Sequence, residues 1–259
     1  MSDQIEIYLN KLKDKHKINI LYACETGSRA WGVPSPNSDY DIRIIYNHSP
    51  DWYLSVNEKP DNIMQVEDDI DSQAWDLKKT LSLLSKSNII LFEWLQSAKI
   101  YAGCPLFREG LIDLSKKYFQ PRKAIYHYLG LSNTLIKKHF EKDTLPLKKY
   151  FIIVRSILAS IWIKENQTPA PILFTDLLPI LEKQPKVLLA VHQLIRLKKE
   201  TNDGKPIKRI PALDAFIFEH RKASSVFAER LPKQDKVDME ALDLFFRGML
   251  EHYKTQEQV

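Results

Sequence analysis

The chain reads Ala23-Cys24-Glu25-Thr26-Gly27-Ser28-Arg29-Ala30-Trp31-Gly32 and then, after five residues, Ser38-Asp39-Tyr40-Asp41-Ile42-Arg43, and these two stretches decide its fold. An apolar run over residues 18–23 leads into the first stretch and predicts a buried strand. Residues 26–38 are rich in Gly, Ser, Pro and Asn, which indicates a loop or a broken helical turn. Residues 40–46 alternate apolar and polar side chains and predict a second strand.

The pair Asp39 and Asp41 stands at the beginning of this second predicted strand. Side chains alternate between the faces of a strand, so we expect the two carboxylates to point the same way. Neighbouring carboxylates repel each other unless a cation lies between them. Magnesium prefers hard oxygen ligands and commonly takes one or two carboxylates together with substrate phosphates. The pair therefore predicts a divalent-metal site.

Gly27 and Ser28 follow the first predicted strand and precede a predicted helical turn. Glycine allows a phosphate to approach the backbone, the serine hydroxyl can donate a hydrogen bond, and amides at a helix N-terminus favour anions. Either pair alone is a weak signal, since Gly-Ser is common in turns and Asp-x-Asp at solvated strand ends. Their ordered combination, about a dozen residues apart, is what phosphoryl transfer from a nucleoside triphosphate requires.

The rest of the chain predicts an α+β protein. A helix is expected over residues 3–15, two short strands over 63–66 and 70–75, and helical segments from residue 77 to 95. From Pro105 onward nearly everything is helical, with prolines at many of the breaks. Further helices are predicted over 106–119, 121–141, 145–165, 173–183, 185–200, 211–230 and 238–254. We expect a small mixed-sheet catalytic domain over 1–104 and a helical domain over 105–259.

Composition limits the classes of function. The 259 residues carry a formal net charge of +5, which suits a polyanionic ligand such as a nucleotide or RNA. The two cysteines, Cys24 and Cys104, have no metal-binding spacing. No apolar run of about 18 residues is present, so no membrane association is predicted. The charged N-terminus lacks the features of a secretory signal, and a cytoplasmic protein is expected.

At the two quoted stretches the sequence resembles the DNA polymerase beta superfamily of nucleotidyltransferases, whose shared hallmark is Gly-Ser followed by Asp-x-Asp. The resemblance is closer to one branch, the RlaP or YcgL-like group, with the pattern GSRAWG…SDYDIR, found here from Gly27 to Gly32 and from Ser38 to Arg43. Similar elements follow at residues 71–79, 86–97, 126–128 and 148–155, so the resemblance covers most of the chain. It implies a polymerase beta-like catalytic domain and transfer of a nucleoside monophosphate from a triphosphate, ATP or another.

The resemblance also implies metal chemistry with Mg²⁺ or Mn²⁺, in which Asp39 and Asp41 bind two ions and a carboxylate from an adjacent strand completes the site or acts as a base. Asp71 and Asp76 are the two candidates for this third acid. They have opposite parity on a regular strand, so both cannot face the metals. Asp76 also fits a helix N-cap before Leu77, which favours Asp71 as the third acid.

Nucleotide-binding residues are predicted both before and after Asp39 and Asp41 in the sequence. Ser28 and the backbone of Gly27 are expected to hold the terminal phosphates, and Arg29 is a candidate to assist them. Lys149 and Arg155 lie six residues apart on a predicted helix, which places them about 120° from alignment, but their long side chains could still border one cleft that closes over the triphosphate. Each of these cations could equally be an ordinary surface residue.

The leading hypothesis is therefore a nucleotidyltransferase with a nucleoside triphosphate as donor and an unidentified acceptor. RNA is a possible acceptor because the chain is mildly basic, although no RNA-binding signature is present. The alternative is a catalytically silent, nucleotide-binding regulatory protein on the same fold.

Overall fold

The computed structural model describes residues 2–233 and 237–256 of the chain, which divides into two compact units. Unit 1 comprises Met1–Gly27, Asp39–Tyr118 and Asp235–Val259, and unit 2 comprises Ser28–Ser38 and Phe119–Gln234. The segment that follows Gly27 thus belongs to the same unit as most of the later helices. The division into domains at residue 104 stays a prediction.

Unit 1 contains a five-stranded mixed sheet with the strand order β3-β4-β2-β1-β5. The central strands β2 and β4 are parallel and the other pairs are antiparallel. The strands are β1 (Asn19–Glu25), β2 (Tyr40–Asn47), β3 (Asn62–Glu67), β4 (Ile70–Asp76) and β5 (Ile100–Gly103). A mixed sheet accompanied by many helices confirms the predicted α+β class.

Helices make up most of the remaining structure. They are α1 (Ser2–His16), α2 (Gly27–Ala30), α3 (Pro50–Tyr53), α4 (Leu77–Ser85), α5 (Ile89–Leu95), α6 (Pro105–Tyr118), α7 (Pro121–His139), α8 (Leu147–Asn166), α9 (Pro185–Glu200), α10 (Pro211–Arg230) and α11 (Glu240–Gln256). A 3₁₀ helix spans Phe174–Leu181. None of the helices in the described residues is long and apolar enough to cross a membrane.

Helix α1 covers one face of the sheet in unit 1. Its apolar stripe, Ile5, Tyr8, Leu9 and Leu12, is at most 4% exposed and packs against Ile42, Ile44 and Ala74 of the central strands. Burying each such side chain is worth roughly 1.5–3 kcal/mol. Because side chains alternate along a strand, the residues between these apolar ones point to the opposite face. Asp41 and Arg43 of β2 and Asp71 of β4 are therefore on the face away from α1.

Unit 2 is built around α8, whose side chains are buried on nearly all sides. Helices α7, α9 and α10 and the 3₁₀ helix contact it. Two three-residue strands, β6 (Thr144–Pro146) and β7 (Pro206–Lys208), pair antiparallel at its edge.

Most predicted elements are confirmed, with ends that differ by a few residues. The segment predicted as a helix over 173–183 is a 3₁₀ helix instead, and Pro179 within it has no amide hydrogen to donate to an α-helical bond. The sequence patterns missed β5, β6 and β7. Each of these strands has only three or four residues, too few to show an alternation of two periods.

Candidate functional site

Two carboxylates lie side by side on the central parallel strands. Asp41 near the start of β2 is the register partner of Asp71 near the start of β4. Both side chains are on the sheet face opposite α1, and they are 26% and 47% exposed, respectively. Pairing across parallel strands thus places two negative charges next to each other at an accessible position.

Arg43 lies between these two carboxylates. Its Nη2 atom is 3.1 Å from Asp41 Oδ1, and its Nη1 atom is 3.8 Å from Asp71 Oδ1. Nη1 also donates to the main-chain oxygens of Ile42 and Asp71, each at 3.0 Å. The Arg43 side chain is only 17% exposed, so its charge compensates the repulsion between the two carboxylates more strongly than the charge of a surface cation would. Sequence reasoning gave Arg43 no role, although it has the same strand parity as Asp41.

Gly27 permits the position of the Asp41 side chain. Its φ angle is +64°, and a Cβ atom built on it would lie 2.0 Å from Asp41 Oδ2. The Asp41 carboxylate therefore occupies the space that any other side chain at position 27 would need. The preceding residue holds the backbone in register, because the amide and hydroxyl of Thr26 both donate to the carbonyl of Asp41, at 2.8 and 3.1 Å.

Asp39 is exposed and lies just before β2, which begins at Tyr40. The alternation of side chains along a strand therefore applies to Asp41 and Arg43 but does not reach Asp39. Its assignment as a metal ligand stays a prediction.

Asp76, the alternative third acid, is at the other end of β4 from Asp71. It is the N-cap of α4, where Oδ1 accepts from the Lys78 amide at 2.7 Å and Oδ2 accepts from the Tyr53 hydroxyl at 2.8 Å. Only 3% of the residue is exposed. Burial raises the pKa of Asp76, and the hydrogen bonds from Tyr53 and the α4 amides oppose this shift only in part. The structure gives Asp76 a clear capping role, and its strand parity is opposite to that of Asp71.

Hydrogen bonds link residues 28–38, which belong to unit 2, to one another. The hydroxyl of Ser28 donates to Ser38 Oγ at 2.9 Å, and the Ser35 amide also donates to that atom at 2.9 Å. Arg29 Nη2 donates to the Ser38 carbonyl at 2.8 Å. Ser28 and Arg29, both predicted to bind nucleotide, are thus held together by Ser38. Sequence reasoning did not identify Ser38 as the centre of this arrangement.

Arg155 supports the same segment from α8. It is 3% exposed, and its guanidinium carbon lies 4.6 Å from the ring centroid of Trp31, a cation–π distance. The Trp31 carbonyl accepts from the amide of Phe174 at 3.0 Å, which fixes the other side of the residue. Lys149 is partly exposed on the first turns of α8. The proposed binding of nucleotide by Lys149 and Arg155 stays a prediction.

Unit 2 also contains a buried ion pair. Lys198 is 1% exposed, and its ammonium group donates to Asp203. Burial alone would raise the pKa of Asp203, but hydrogen bonds from Lys198 and Ser35 and the charges of Lys198 and Lys148 hold that pKa below its usual value. Residues 198–209 contain several basic side chains, and at least Lys198 among them is buried.

The chemistry of these residues fits a divalent cation. No group of three or more His, Cys, Asp or Glu side chains within residues 2–233 and 237–256 is placed to hold a metal ion. Magnesium needs fewer, since one or two carboxylates with water and substrate phosphates are a common ligand set. Asp41 and Asp71 supply two carboxylates, and Gly27 provides the cradle that keeps Asp41 in place.

Comparisons with known proteins show the family to which the chain belongs. Residues 1–248 match the model of the family described as "RlaP: RNA repair pathway DNA polymerase beta family". A Bacillus subtilis (strain 168) protein described as "Uncharacterized protein YcgL" is 34% identical over 240 residues, which cover 92% of each chain. The crystal structure of a nucleotidyltransferase-like protein from Exiguobacterium sibiricum 255-15 aligns with 98% of this chain and 92% of its own, with a TM-score of 0.30 and 12% identity.

The first two matches determine the assignment, because together they span nearly the whole chain at substantial identity. They confirm the resemblance stated from the motif, and the family points to a polymerase beta-like nucleotidyltransferase with a nucleotide substrate. The chain belongs to the RlaP family of DNA polymerase beta-like proteins.

Proposed function

We propose that this protein transfers a nucleoside monophosphate from a nucleoside triphosphate to a hydroxyl acceptor, with Asp39, Asp41 and Asp71 as the catalytic acids. The observation that carries the proposal is the register pairing of Asp41 with Asp71, with Gly27 cradling the Asp41 carboxylate. Two adjacent, accessible carboxylates suit a reaction that handles polyphosphate and a divalent ion.

Mg²⁺ or Mn²⁺ held by the three acids would neutralise charge on the triphosphate and lower the pKa of the acceptor hydroxyl. Asp71 has the more exposed side chain of the register pair and is the proposed base for the acceptor proton. Arg43 keeps the Asp41 and Asp71 carboxylates oriented. The backbone of Gly27, the hydroxyl of Ser28 and the guanidinium of Arg29 are proposed to bind the terminal phosphates.

Two further cations belong to the proposal. Lys149 is a candidate contact for the triphosphate because its side chain is partly exposed. Arg155 is buried against Trp31, and we propose that it contributes to nucleotide binding mainly by holding residues 28–38 in place. The family description names an RNA repair pathway, and an RNA end is therefore the proposed acceptor.

The proposal is tested by label transfer. Purified protein is incubated with Mg²⁺ and each labelled triphosphate, ATP included, with and without total RNA, while label transfer and pyrophosphate release are measured. We expect transfer by the wild type and a loss of at least about a hundredfold in the Asp39→Ala/Asp41→Ala variant. The matched control, Asp3→Ala/Asp14→Ala, removes two exposed acids from α1 and should retain full activity. Equal signals from wild type and Asp39→Ala/Asp41→Ala protein would contradict catalysis at this site.

One observation favours the silent regulatory alternative. Arg43 places a positive charge between Asp41 and Asp71, as a bound cation would. A regulatory protein would show magnesium-dependent thermal stabilisation by nucleotide that disappears in the same double variant, with no pyrophosphate released by either protein.

The identity of the third acid is tested by a matched pair of substitutions. Asp71→Asn is expected to slow transfer by about a hundredfold or more, because it removes the proposed base. Asp76→Asn should keep activity within a few-fold, since an amide oxygen can still accept from the Lys78 amide at the N-cap. Rates are measured at saturating triphosphate, and folding is checked by thermal denaturation.

The pH dependence of stability gives this pair a second readout. Because the folded-state pKa of Asp76 is raised, its contribution to stability is fully present below the unfolded pKa and is lost as the pH rises through the folded value. The wild type should therefore lose stability as the pH rises through the folded-state pKa of Asp76. Asp76→Asn should remove this decline, while Asp71→Asn should leave it in place. Loss of transfer in a well-folded Asp76→Asn protein would assign the third acid to Asp76 instead.

A further inference from the structure

We propose that the groove between α7 and α10 of unit 2 binds a single-stranded segment of nucleic acid. The groove has a volume of about 700 Å³, which suits one or two nucleotides at a time. This inference rests on the proposed function in one respect, because the strand bound in the groove is taken to be the acceptor.

The groove is formed by one stripe of side chains from each helix. Asn133 and Lys137 are one turn apart on α7, and Phe218, Arg221 and Lys222 face them from successive turns of α10. Residues three and four apart lie on one side of a helix, so each set forms a continuous wall. The bottom of the groove is apolar, because it is lined by Leu129 and Ile136, which are only 4% and 8% exposed.

The charge of the groove is entirely positive. Lys137, Arg221 and Lys222 line it, and no Asp or Glu of the described residues does so. These three cations take part in none of the ion pairs found in the described part of the chain. Cations that form no ion pair attract a polyanion, and a nucleic-acid backbone offers one phosphate per nucleotide.

Phe218 gives the groove a surface for a base. The residue is 42% exposed, and its ring is fixed by an edge contact with Phe140 at 5.9 Å between centroids. The guanidinium carbon of Arg221 lies 5.4 Å from the Phe218 ring centroid. Exposed aromatic rings beside cations bind single strands by stacking on unpaired bases, which a duplex does not offer. An acidic protein segment would gain little from such a ring.

A second depression continues the same surface along α10. It has a volume of about 460 Å³, shares Lys222 with the groove and adds Lys164, Arg230 and the exposed Val226. Glu219 is its one acidic residue among the described lining residues. The two depressions together present five cations and one carboxylate, so the strand can extend along α10 beyond the groove.

The inference is tested by binding alone, without nucleotide or metal. Fluorescence anisotropy is measured with labelled RNA and DNA strands of about 15 nucleotides and one unstructured sequence, and with the corresponding duplex, from low to moderate salt. The groove variant is Lys137→Glu/Arg221→Glu/Lys222→Glu. The matched control is Lys183→Glu/Lys186→Glu/Arg196→Glu, which changes the net charge of the chain equally at exposed residues on and beside α9 of the same unit.

We expect the groove variant to bind a single strand at least about tenfold more weakly than the control, with a log–log salt slope smaller by about 2. Phe218→Ala should weaken binding about tenfold without changing that slope, and Phe218→Tyr should restore it. Comparison of the RNA and DNA strands shows which sugar the surface prefers.

Equal binding by the groove and control variants would overturn the inference. So would duplex that binds as tightly as single strand, or polyglutamate that competes as well as the oligonucleotide. Asp39→Ala/Asp41→Ala protein should bind the strand like the wild type. Failure of catalysis and failure of the groove are therefore separate results.

Discussion

Gly27→Ala is expected to reduce nucleotidyl transfer by at least about a hundredfold. This is the size of the loss expected when the Asp39 and Asp41 carboxylates are removed. Two physical effects combine at this position. The φ angle of +64° costs a residue with a Cβ about 1–2 kcal/mol. The new Cβ would also lie 2.0 Å from Asp41 Oδ2 and 2.8 Å from its Cγ, so the carboxylate or the backbone must move. We expect a total loss of stability of about 2–4 kcal/mol.

Gly32→Ala is the matched control for this substitution. Gly32 has a similar φ angle of +75°, but the nearest atom to its added Cβ is Leu173 Cδ2 at an ordinary 3.4 Å. The control therefore carries the backbone cost without displacing a carboxylate. Transfer rates and urea unfolding are measured for both variants. If both lose activity equally, backbone strain accounts for the effect and the contact with Asp41 does not.

Asp203→Ala is expected to destabilise the protein by about 3–5 kcal/mol, because it leaves the buried ammonium of Lys198 without its counter-ion. The double variant Lys198→Met/Asp203→Ala should recover most of this loss, since a methionine fills similar space without a charge. Chemical denaturation of Asp203→Ala, Lys198→Met and the double variant gives the coupling energy between Lys198 and Asp203. A double variant no more stable than Asp203→Ala would show that the loss comes from packing and not from the unpaired charge of Lys198.

The same pair predicts an acid-dependent decline in stability. The folded-state pKa of Asp203 is lowered, so its contribution is fully present above the unfolded pKa of about 3.9 and is lost as the pH falls through the folded value. The wild type should therefore lose stability over this acidic range more steeply than the Lys198→Met/Asp203→Ala variant. Activity measured after return to neutral pH shows whether the loss of stability in acid is reversible.

Much of the candidate site was predictable because it depends on local patterns. The alternation along residues 40–46 predicted a strand that carries Asp41, and the opposite parity of Asp71 and Asp76 was correct because both lie on β4. The capping role of Asp76 followed from its position immediately before an apolar helix. These features arise from neighbours within a few residues and are therefore visible in the sequence.

The rest depends on contacts between residues far apart in the chain. The register that pairs Asp41 with Asp71 joins β2 and β4, which α3 and β3 separate in the sequence, and Arg43 gains its role only from that pairing. Lysine is usually exposed, and Lys198 is buried because its ammonium group pairs with Asp203 and lies near the Phe151 ring. Ser38 looks like an ordinary loop residue until Ser28, Arg29 and Ser35 converge on it. No local pattern reports such convergence.

The placement of residues 28–38 in unit 2 has a consequence for inheritance. The family motif is encoded within about twenty consecutive codons, yet Arg155 and Phe174, which contact Trp31 in its middle, are encoded far downstream. A recombination event that joined the first hundred codons to a foreign helical segment would preserve the motif and lose its supports. Early and late parts of the gene should therefore diverge in step, and hybrids of distant relatives should work only when residues 28–38 come from the same parent as α8.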